Sequence, residues 1–168
     1  MIAAICVRMI LICMAALSLV GCVSGTVSTA FYSDPPQPPM FIVIPPDSLS
    51  LTDRNISALI ETKMSERGHQ KAASFEAANI GVLFKHSIDP TGRVFGGGSG
   101  ADTLYPRHLH ITVIDLQKSK VPEKLEILWQ GEVYSEGTSR NISWLAPIFI
   151  DQLFLNYGKT VTNRGFSH

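Results

Sequence analysis

The sequence lacks any surplus of charge of one sign. Its 14 lysine and arginine residues are matched by 14 aspartate and glutamate residues, which gives a formal net charge of +0 at pH 7. Nucleic-acid-binding domains normally carry a basic surplus, and solvated acidic tails carry a block of carboxylates. We therefore expect no nucleic-acid partner and no acidic tail.

Cysteine is scarce, and long apolar runs are missing. The three cysteines are Cys6, Cys13 and Cys22, all close to the N-terminus. The rest of the chain can therefore form no disulfide and holds no cysteine nucleophile. The uncharged run over 9–20 falls short of the roughly 20 apolar residues that a membrane-spanning helix needs.

What the N-terminus does contain is the pattern of a bacterial lipoprotein signal peptide. Arg8 supplies a positive charge, the run over 9–20 has the length of a signal-peptide core, and "LVGC" at 19–22 resembles a lipobox. We expect residues 1–21 to be removed and the Cys22 thiol to become a thioether carrying diacylglycerol, usually with an acyl chain such as palmitate on the new amine. A buried helix, a membrane anchor or a conventional signal peptide are the alternatives.

The residue after this cysteine is Val23 rather than aspartate. By resemblance to Gram-negative lipoproteins, this favours the outer membrane, with the protein facing the periplasm. The following segment, 22–39, is rich in Ser, Thr, Gly and Pro and is predicted to be a flexible tether. A single α+β domain is predicted over 40–158, followed by a polar tail, 159–168, that frays.

Hydrophobic periodicity predicts two helices and four strands in that domain. Strands are expected at 40–44 and around "ANIGVLFKHS", "HLHITVIDLQ" and "LEILWQGEVYSE", with 89–106 as a long loop or a wide hairpin connection. The first helix is expected over about 52–67, with Thr52 as its cap and Gly68 as its end. The second begins near Ile142 and ends at Gly158.

This order, β-α-β-β-β-α, predicts an α+β fold. Two amphipathic helices and alternating strands are most simply buried when an antiparallel sheet of about four strands carries both helices on one face. Gly131 interrupts the apolar face of its strand and indicates a bulky neighbour or a bulge there.

Residues Ile114, Asp115, Trp129 and Gly131 carry a family resemblance. They lie in "ITVIDLQKSKVPEKLEILWQGEV", which resembles a domain-of-unknown-function family (the DUF4136 type) of small Gram-negative envelope lipoproteins, over about 31–158. Gln130 stands where that family more often has arginine. The resemblance implies a lipid-anchored envelope protein with an α+β sandwich and implies no established catalytic residue.

Candidate chemistry is sparse. His108 and His110 lie on one face of a predicted strand, and His86 and Asp102 are further candidates for a metal site, which needs three or four ligands. Solvated polar side chains are the alternative interpretation. The glycine-rich 96–100 lacks the lysine and the helix of a phosphate-binding loop, and Ser143 lies outside a nucleophile elbow.

We therefore expect a non-enzymatic binding or assembly module with no cofactor, anchored to the membrane by its lipid and bound to an envelope protein. The alternative is a small metal-binding or metal-dependent periplasmic enzyme that uses His108 and His110. A carrier of lipid or another apolar ligand between sheet and helices is a third hypothesis.

Overall fold

A computed structural model describes residues 23–46, 50–96, 101–119 and 124–168. Within these ranges the chain forms eight strands and two helices. They are β1 (Ser24–Phe31), β2 (Met40–Ile44), α1 (Leu51–Glu66), β3 (Gln70–Lys71), β4 (Ile80–Ile88), β5 (Arg93–Phe95), β6 (Asp102–Asp115), β7 (Ile127–Gly137), α2 (Ala146–Leu155) and β8 (Val161–Ser167). The predicted signal peptide and Cys22 lie outside the described residues. Neither helix of the described residues is long and apolar enough to cross a bilayer.

The strands form one mixed sheet in the order β3-β2-β4-β6-β7-β1-β8, with β5 paired to the start of β6. Strand β2 runs parallel to β3 and β4, and the other pairings are antiparallel. The α+β class is therefore confirmed, whereas the prediction of a four-stranded antiparallel sheet is wrong. The parallel pairing arises because α1 returns the chain to the end of the sheet where β2 began, as a crossover requires.

The segment expected to be a flexible tether, 22–39, contains β1. This strand lies between β7 and β8 and pairs antiparallel with both. The backbone of Val23 also exchanges two hydrogen bonds with His168, at 3.0 and 2.9 Å. The small polar side chains of β1 hid the strand, because backbone pairing rather than a run of large apolar residues holds it in place.

The tail expected to fray, 159–168, contains β8. Asn163 is tied to Ser28 of β1, since its amide donates to the Ser28 hydroxyl at 3.0 Å. Phe166 packs edge-on against Phe149 of α2, with ring centroids 6.5 Å apart. A polar strand at the edge of a sheet gives little periodic signal, so the sequence pattern concealed this element too.

The core lies between the sheet and the two helices, which pack against each other on one face. Leu109, Ile111 and Val113 of β6 all point into it, as their alternation predicted. The helices supply the opposing layer, mainly through Ile56, Ile60, Met64, Phe149, Ile150 and Leu153. The prediction that both helices share one face is therefore confirmed.

The N-cap of the first helix lies two residues earlier than predicted. Ser50, not Thr52, is the N-cap: its hydroxyl accepts from the Asp53 amide at 3.1 Å while the Asp53 carboxylate accepts from the Ser50 amide at 2.9 Å. This reciprocal pair satisfies donors that a helix start leaves free. At the other end Gly68 adopts a φ of 83°, the left-handed conformation predicted there.

The second helix is shorter than predicted, because Ile142 and Leu145 are buried without being part of its α-helical span. Residues 89–106, expected to be a loop or a wide hairpin, contain β5 and the first residues of β6, so the hairpin alternative is the one observed. Periodic burial alone does not separate a helix from an irregular segment that packs on the same core.

Gly131 admits bulky neighbours, as predicted. A Cβ at this position would lie 2.7 Å from a methyl of Leu153 and 2.8 Å from the ring of Trp129. Trp129 in turn packs 5.1 Å from Tyr157, which stacks on Phe154. Burial raises the pKa of Tyr157 to about 12.

We expect Gly131→Val to destabilise the protein by about 1–3 kcal/mol, since the added methyl groups overpack the contact between β7 and α2. Urea unfolding followed by circular dichroism measures the change. The matched control is Gly165→Val, because a Cβ on Gly165 of β8 meets no atom of the described residues within 4 Å. Equal losses in the two variants would contradict the packing explanation.

The buried Asp53 carboxylate also contacts His86, whose Nε2 lies 3.0 Å from Oδ1. Burial acts to raise the pKa of Asp53, but hydrogen bonds from Ser50 and His86 outweigh it and hold the pKa below its usual value. The ionised form is therefore favoured by folding. The resulting stability is complete above the unfolded-state pKa, about 3.9, and is lost as the pH falls through the lower folded-state pKa.

We predict that Asp53→Asn lowers the free energy of unfolding at pH 7 by about 1–2 kcal/mol, because a hydrogen-bonded charge is replaced by a neutral amide. The difference from wild type should shrink as the pH is lowered from 5 to 2.5. Thermal unfolding across this range gives the measurement. Asp151→Asn, at an exposed ion pair with Lys63, is the control and should change stability little at either pH. A pH-independent Asp53 effect would contradict the assignment.

Candidate functional site

The sheet leaves one face uncovered by the helices. On β6, His108, His110 and Thr112 point away from the core residues that alternate with them. Cross-strand pairing places Lys85 of β4 and Glu132 of β7 on either side of His110. We call this surface the open face; its polar side chains are Ser28, Lys85, His108, His110, Thr112, Gln130, Glu132 and Tyr134.

At one level of the open face, His108 is held between a carboxylate and an aromatic ring. Its Nδ1 lies 2.8 Å from the Glu132 carboxylate, and its ring centroid is 4.9 Å from that of Tyr134. The Tyr134 hydroxyl donates to Glu136, and this hydrogen bond raises the pKa of Tyr134. These contacts orient all four side chains.

At the next level the partners differ. His110 Nε2 lies 2.9 Å from the Thr112 hydroxyl, and Gln130 donates to the hydroxyl of Tyr32 at 2.9 Å. The two predicted histidines therefore share a face, as the alternation of a strand requires, but each has its own hydrogen-bond partner. The open face therefore presents separate small groups of hydrogen-bonded polar side chains.

Two shallow depressions on this face lie on either side of Ser28 and Glu132, and a wider one of about 480 Å³ lies nearer the start of β1, beside Thr26 and Glu136. One of the two, of about 260 Å³, also touches His108, Tyr134 and Asn163, and the other, of about 240 Å³, also touches His110. Sites for drug-sized ligands typically enclose about 300–1,000 Å³. Each of the two smaller depressions is therefore suited to single side chains of a partner more than to an engulfed small molecule.

The proposed metal ligands do not come together. His86 lies on the helix-covered face, where it contacts Asp53. Asp102 is on β6 six residues before His108, which is about 20 Å along a strand. Among the residues that the structure describes, no group of three or more His, Cys, Asp or Glu side chains is arranged to hold a metal ion.

A larger depression, of about 470 Å³, runs between the helices. Lys63 is one of its lining residues, and the Lys63 ammonium lies 2.9 Å from Glu66 and 3.0 Å from Asp151. Hydrogen bonds to these two carboxylates raise the pKa of Lys63. Because Lys63 already pairs with two partly exposed carboxylates, we interpret this groove as a solvated ion-pair surface.

The remaining sequence candidates have structural roles or lie outside the described residues. Asp115 accepts hydrogen bonds from the amides of Gln117 and Lys118 at 2.9 and 3.1 Å, so it stabilises the turn at the end of β6. The Ser143 hydroxyl is 2.9 Å from that of Thr52. Of the glycine-rich stretch 96–100, only Gly96 is described.

The sequence analysis missed two buried charged side chains, Asp53, which contacts His86, and Arg107. The Arg107 side chain is 3% exposed; its Nη2 donates to Ser135 at 3.1 Å, while its Nε has no partner among the described residues. Burial lowers the pKa of Arg107. The signal was present, because Arg107 alternates in phase with the core residues Leu109 and Ile111.

Comparison with known proteins supports the fold and no more. No family model matches the sequence, and no curated protein matches it either. Among solved structures, a DUF4136 family protein from Bacteroides thetaiotaomicron is similar, with a TM-score of 0.52 and 16% identity over 80% of this chain and 97% of that one. The predicted resemblance is thus confirmed as a likeness of fold.

A PDZ domain protein from Parabacteroides distasonis is also similar, with a TM-score of 0.56 and 14% identity over 87% of this chain. The chain spans 38% of the length of that protein. A PelC dodecamer subunit from Paraburkholderia phytofirmans has a TM-score of 0.49 at 14% identity, which is too distant to bear on function.

Proposed function

We propose that the protein is a lipid-anchored component of the bacterial envelope that binds a partner protein through the open face and catalyses no reaction. The observation that carries this proposal is a wide sheet with helices on one side only. Its other side presents ordered polar side chains. Antiparallel sheets do leave one face solvated, so the proposal rests on how the side chains of that face are fixed.

The fixed side chains favour recognition over chemistry. His108 is oriented by Glu132 and Tyr134, and Gln130 is oriented by Tyr32. Groups that are already ordered lose less conformational entropy when a partner binds. The alternative, metal-dependent chemistry at His108 and His110, needs at least one further ligand, and the described candidates His86 and Asp102 lie elsewhere.

The anchor follows from the lipobox pattern that ends at Cys22. A single acyl chain holds a protein on a membrane only marginally, whereas two or more give stable attachment. A lipid-modified cysteine of this type carries a diacylglycerol and usually a third chain. The protein would then stay close to any partner in the same membrane, at a high effective concentration.

We expect Cys22→Ser to abolish both labelling by radioactive palmitate and recovery in the outer-membrane fraction. The reason is that serine has no thiol to form the thioether. The control is Ser24→Cys in the Cys22→Ser background, which restores a thiol two residues away but not the lipobox spacing. Labelling that survives Cys22→Ser, or returns with Ser24→Cys, would contradict lipidation at Cys22.

Partner binding is tested by placing a photo-crosslinking amino acid at Lys85, an exposed position on the open face. We expect a discrete crosslinked species that is weakened several-fold when Glu132→Lys reverses a neighbouring charge. The same amino acid at Glu66, exposed on α1, is the matched control and should give no such species. A species that forms equally at both positions, or that ignores Glu132→Lys, would exclude the open face as the binding surface.

A further inference from the structure

The expected flexible tether between Cys22 and the folded domain is absent from the described residues, because the chain joins the sheet directly at Val23. Val23 is buried, and its amide and carbonyl are both hydrogen-bonded to His168. Strand β1 begins at the next residue. If Cys22 carries lipid, as proposed above, a single residue separates the acylated cysteine from a paired strand, so the end of the sheet at Val23 is held at the bilayer surface.

The ribbon of β5 and β6 projects from that same end. Gly25, Ser135 and Arg107 lie side by side across β1, β7 and β6. Asp102, paired with Phe95, is five residues before Arg107, which is about 17 Å along a strand. Val23 is two residues before Gly25, about 7 Å by the same rise.

The tip of the ribbon therefore extends roughly 10 Å beyond Val23, in the direction in which the chain leaves toward Cys22. Laterally, β6 and β1 are separated by β7 alone, so that the ribbon and the start of β1 are about 10 Å apart. A bilayer in contact with an acylated Cys22 meets this ribbon before it meets the rest of the sheet.

The side chains at the tip have the chemistry of a membrane interface. Val94 is 71% exposed and Phe95 72% exposed, and among the large apolar residues that the structure describes only Leu51 is more exposed, at 83%. Leu51 opens α1, whose first turn contacts Ser143 and His86 at this same end of the sheet. The three most exposed large apolar side chains of the described chain thus all lie at the anchored end.

Charged and aromatic neighbours frame this tip. Arg93 is exposed and lies 3.6 Å from Glu136, while the Arg140 guanidinium lies 4.4 Å above the Tyr105 ring. Asp102 adds one carboxylate beside Phe95. Apolar side chains with flanking arginine and tyrosine are the combination found at the level of lipid headgroups.

We infer that Val94 and Phe95 form a second membrane contact, which enters the interfacial layer of the bilayer that holds the acylated Cys22. The inference rests on the proposed anchoring at Cys22. The lipid fixes one point of the protein and the ribbon fixes another, so the sheet stands with its strands directed away from the membrane. A protein partner seated on the same two side chains is the competing occupant.

The test uses the full chain, processed in cells and reconstituted in phosphatidylethanolamine–phosphatidylglycerol vesicles with or without brominated acyl chains, which quench tryptophan fluorescence at contact. Phe95→Trp is made in a Trp144→Phe background, because Trp144 is half-exposed at the same end, whereas Trp129 is buried. The matched control is Phe75→Trp, since Phe75 is exposed just before β4 begins, at the opposite end of the sheet.

We expect the tryptophan at position 95 to lose emission in brominated vesicles and to shift to shorter wavelength, while the one at position 75 changes in neither respect. Palmitate labelling of the same samples distinguishes failure of the membrane contact at the ribbon from failure of lipidation at Cys22. Labelled protein in which position 95 is not quenched, or is quenched no more than position 75, overturns the membrane contact and leaves the anchor standing. Unlabelled protein that does not float with the vesicles overturns both.

Discussion

The pairing of β1 between β7 and β8 is the constraint on which the rest of the structure depends. This strand joins the first described residue to the last, through the exchange of backbone hydrogen bonds between Val23 and His168. It also extends the sheet on the far side of β7, where α2 needs a surface to pack against. Without β1, the core would lose the buried side chains of Val27 and Thr29, and β7 would become an exposed edge strand.

The same constraint divides the two faces of the sheet by chemistry. Val27 and Thr29 of β1 lie beside Val133 and Gly131 on the side of the helices, so the core continues to the β1 edge. The alternate residues, such as Ser28, can only face the other way and add to the open face. Because both helices pack on the other side of the sheet, the open face stays accessible around His108, where β1, β6 and β7 lie side by side.

The sequence predicted those structural features that depend on alternating burial along one strand or on a single residue and its near neighbours. The alternation of Leu109, Ile111 and Val113, the left-handed turn at Gly68 and the space required at Gly131 were all predictable, because each depends on the residue itself or on a neighbour two positions away. Strands β1 and β8 were not predictable in this way. Their stability comes from contacts such as Ser28 with Asn163, which are 135 residues apart and leave no local pattern.

The candidate site likewise combines features that local sequence predicts with features that depend on distant contacts. That His108 and His110 share a face with Thr112 follows from the two-residue period of a strand. The contact of His108 with Glu132, in contrast, depends on the register of β6 with β7. His86 was grouped with His108 and His110 because sequence spacing does not fix which face a distant strand presents. Its contact with Asp53 at the start of α1 is a tertiary arrangement, so its chemistry belongs to folding rather than to the open face.

If Cys22 is lipidated and the open face binds a partner, as proposed, the position of β1 also sets the direction from which that partner would approach. His108 is one residue beyond Arg107, which is level with Gly25, so the His108–Glu132 pair lies roughly 10 Å farther along the strands than Val23. A sheet held end-on to the bilayer presents this pair close to the headgroups and sideways, along the membrane plane. The partner best placed to reach it is one held at the same membrane, since a protein approaching along the normal would meet the opposite end of the sheet, around Asp115 and Phe75. Direct attachment through β1 would therefore act as a selectivity device, because it fixes the direction of approach, which a long flexible tether would leave free.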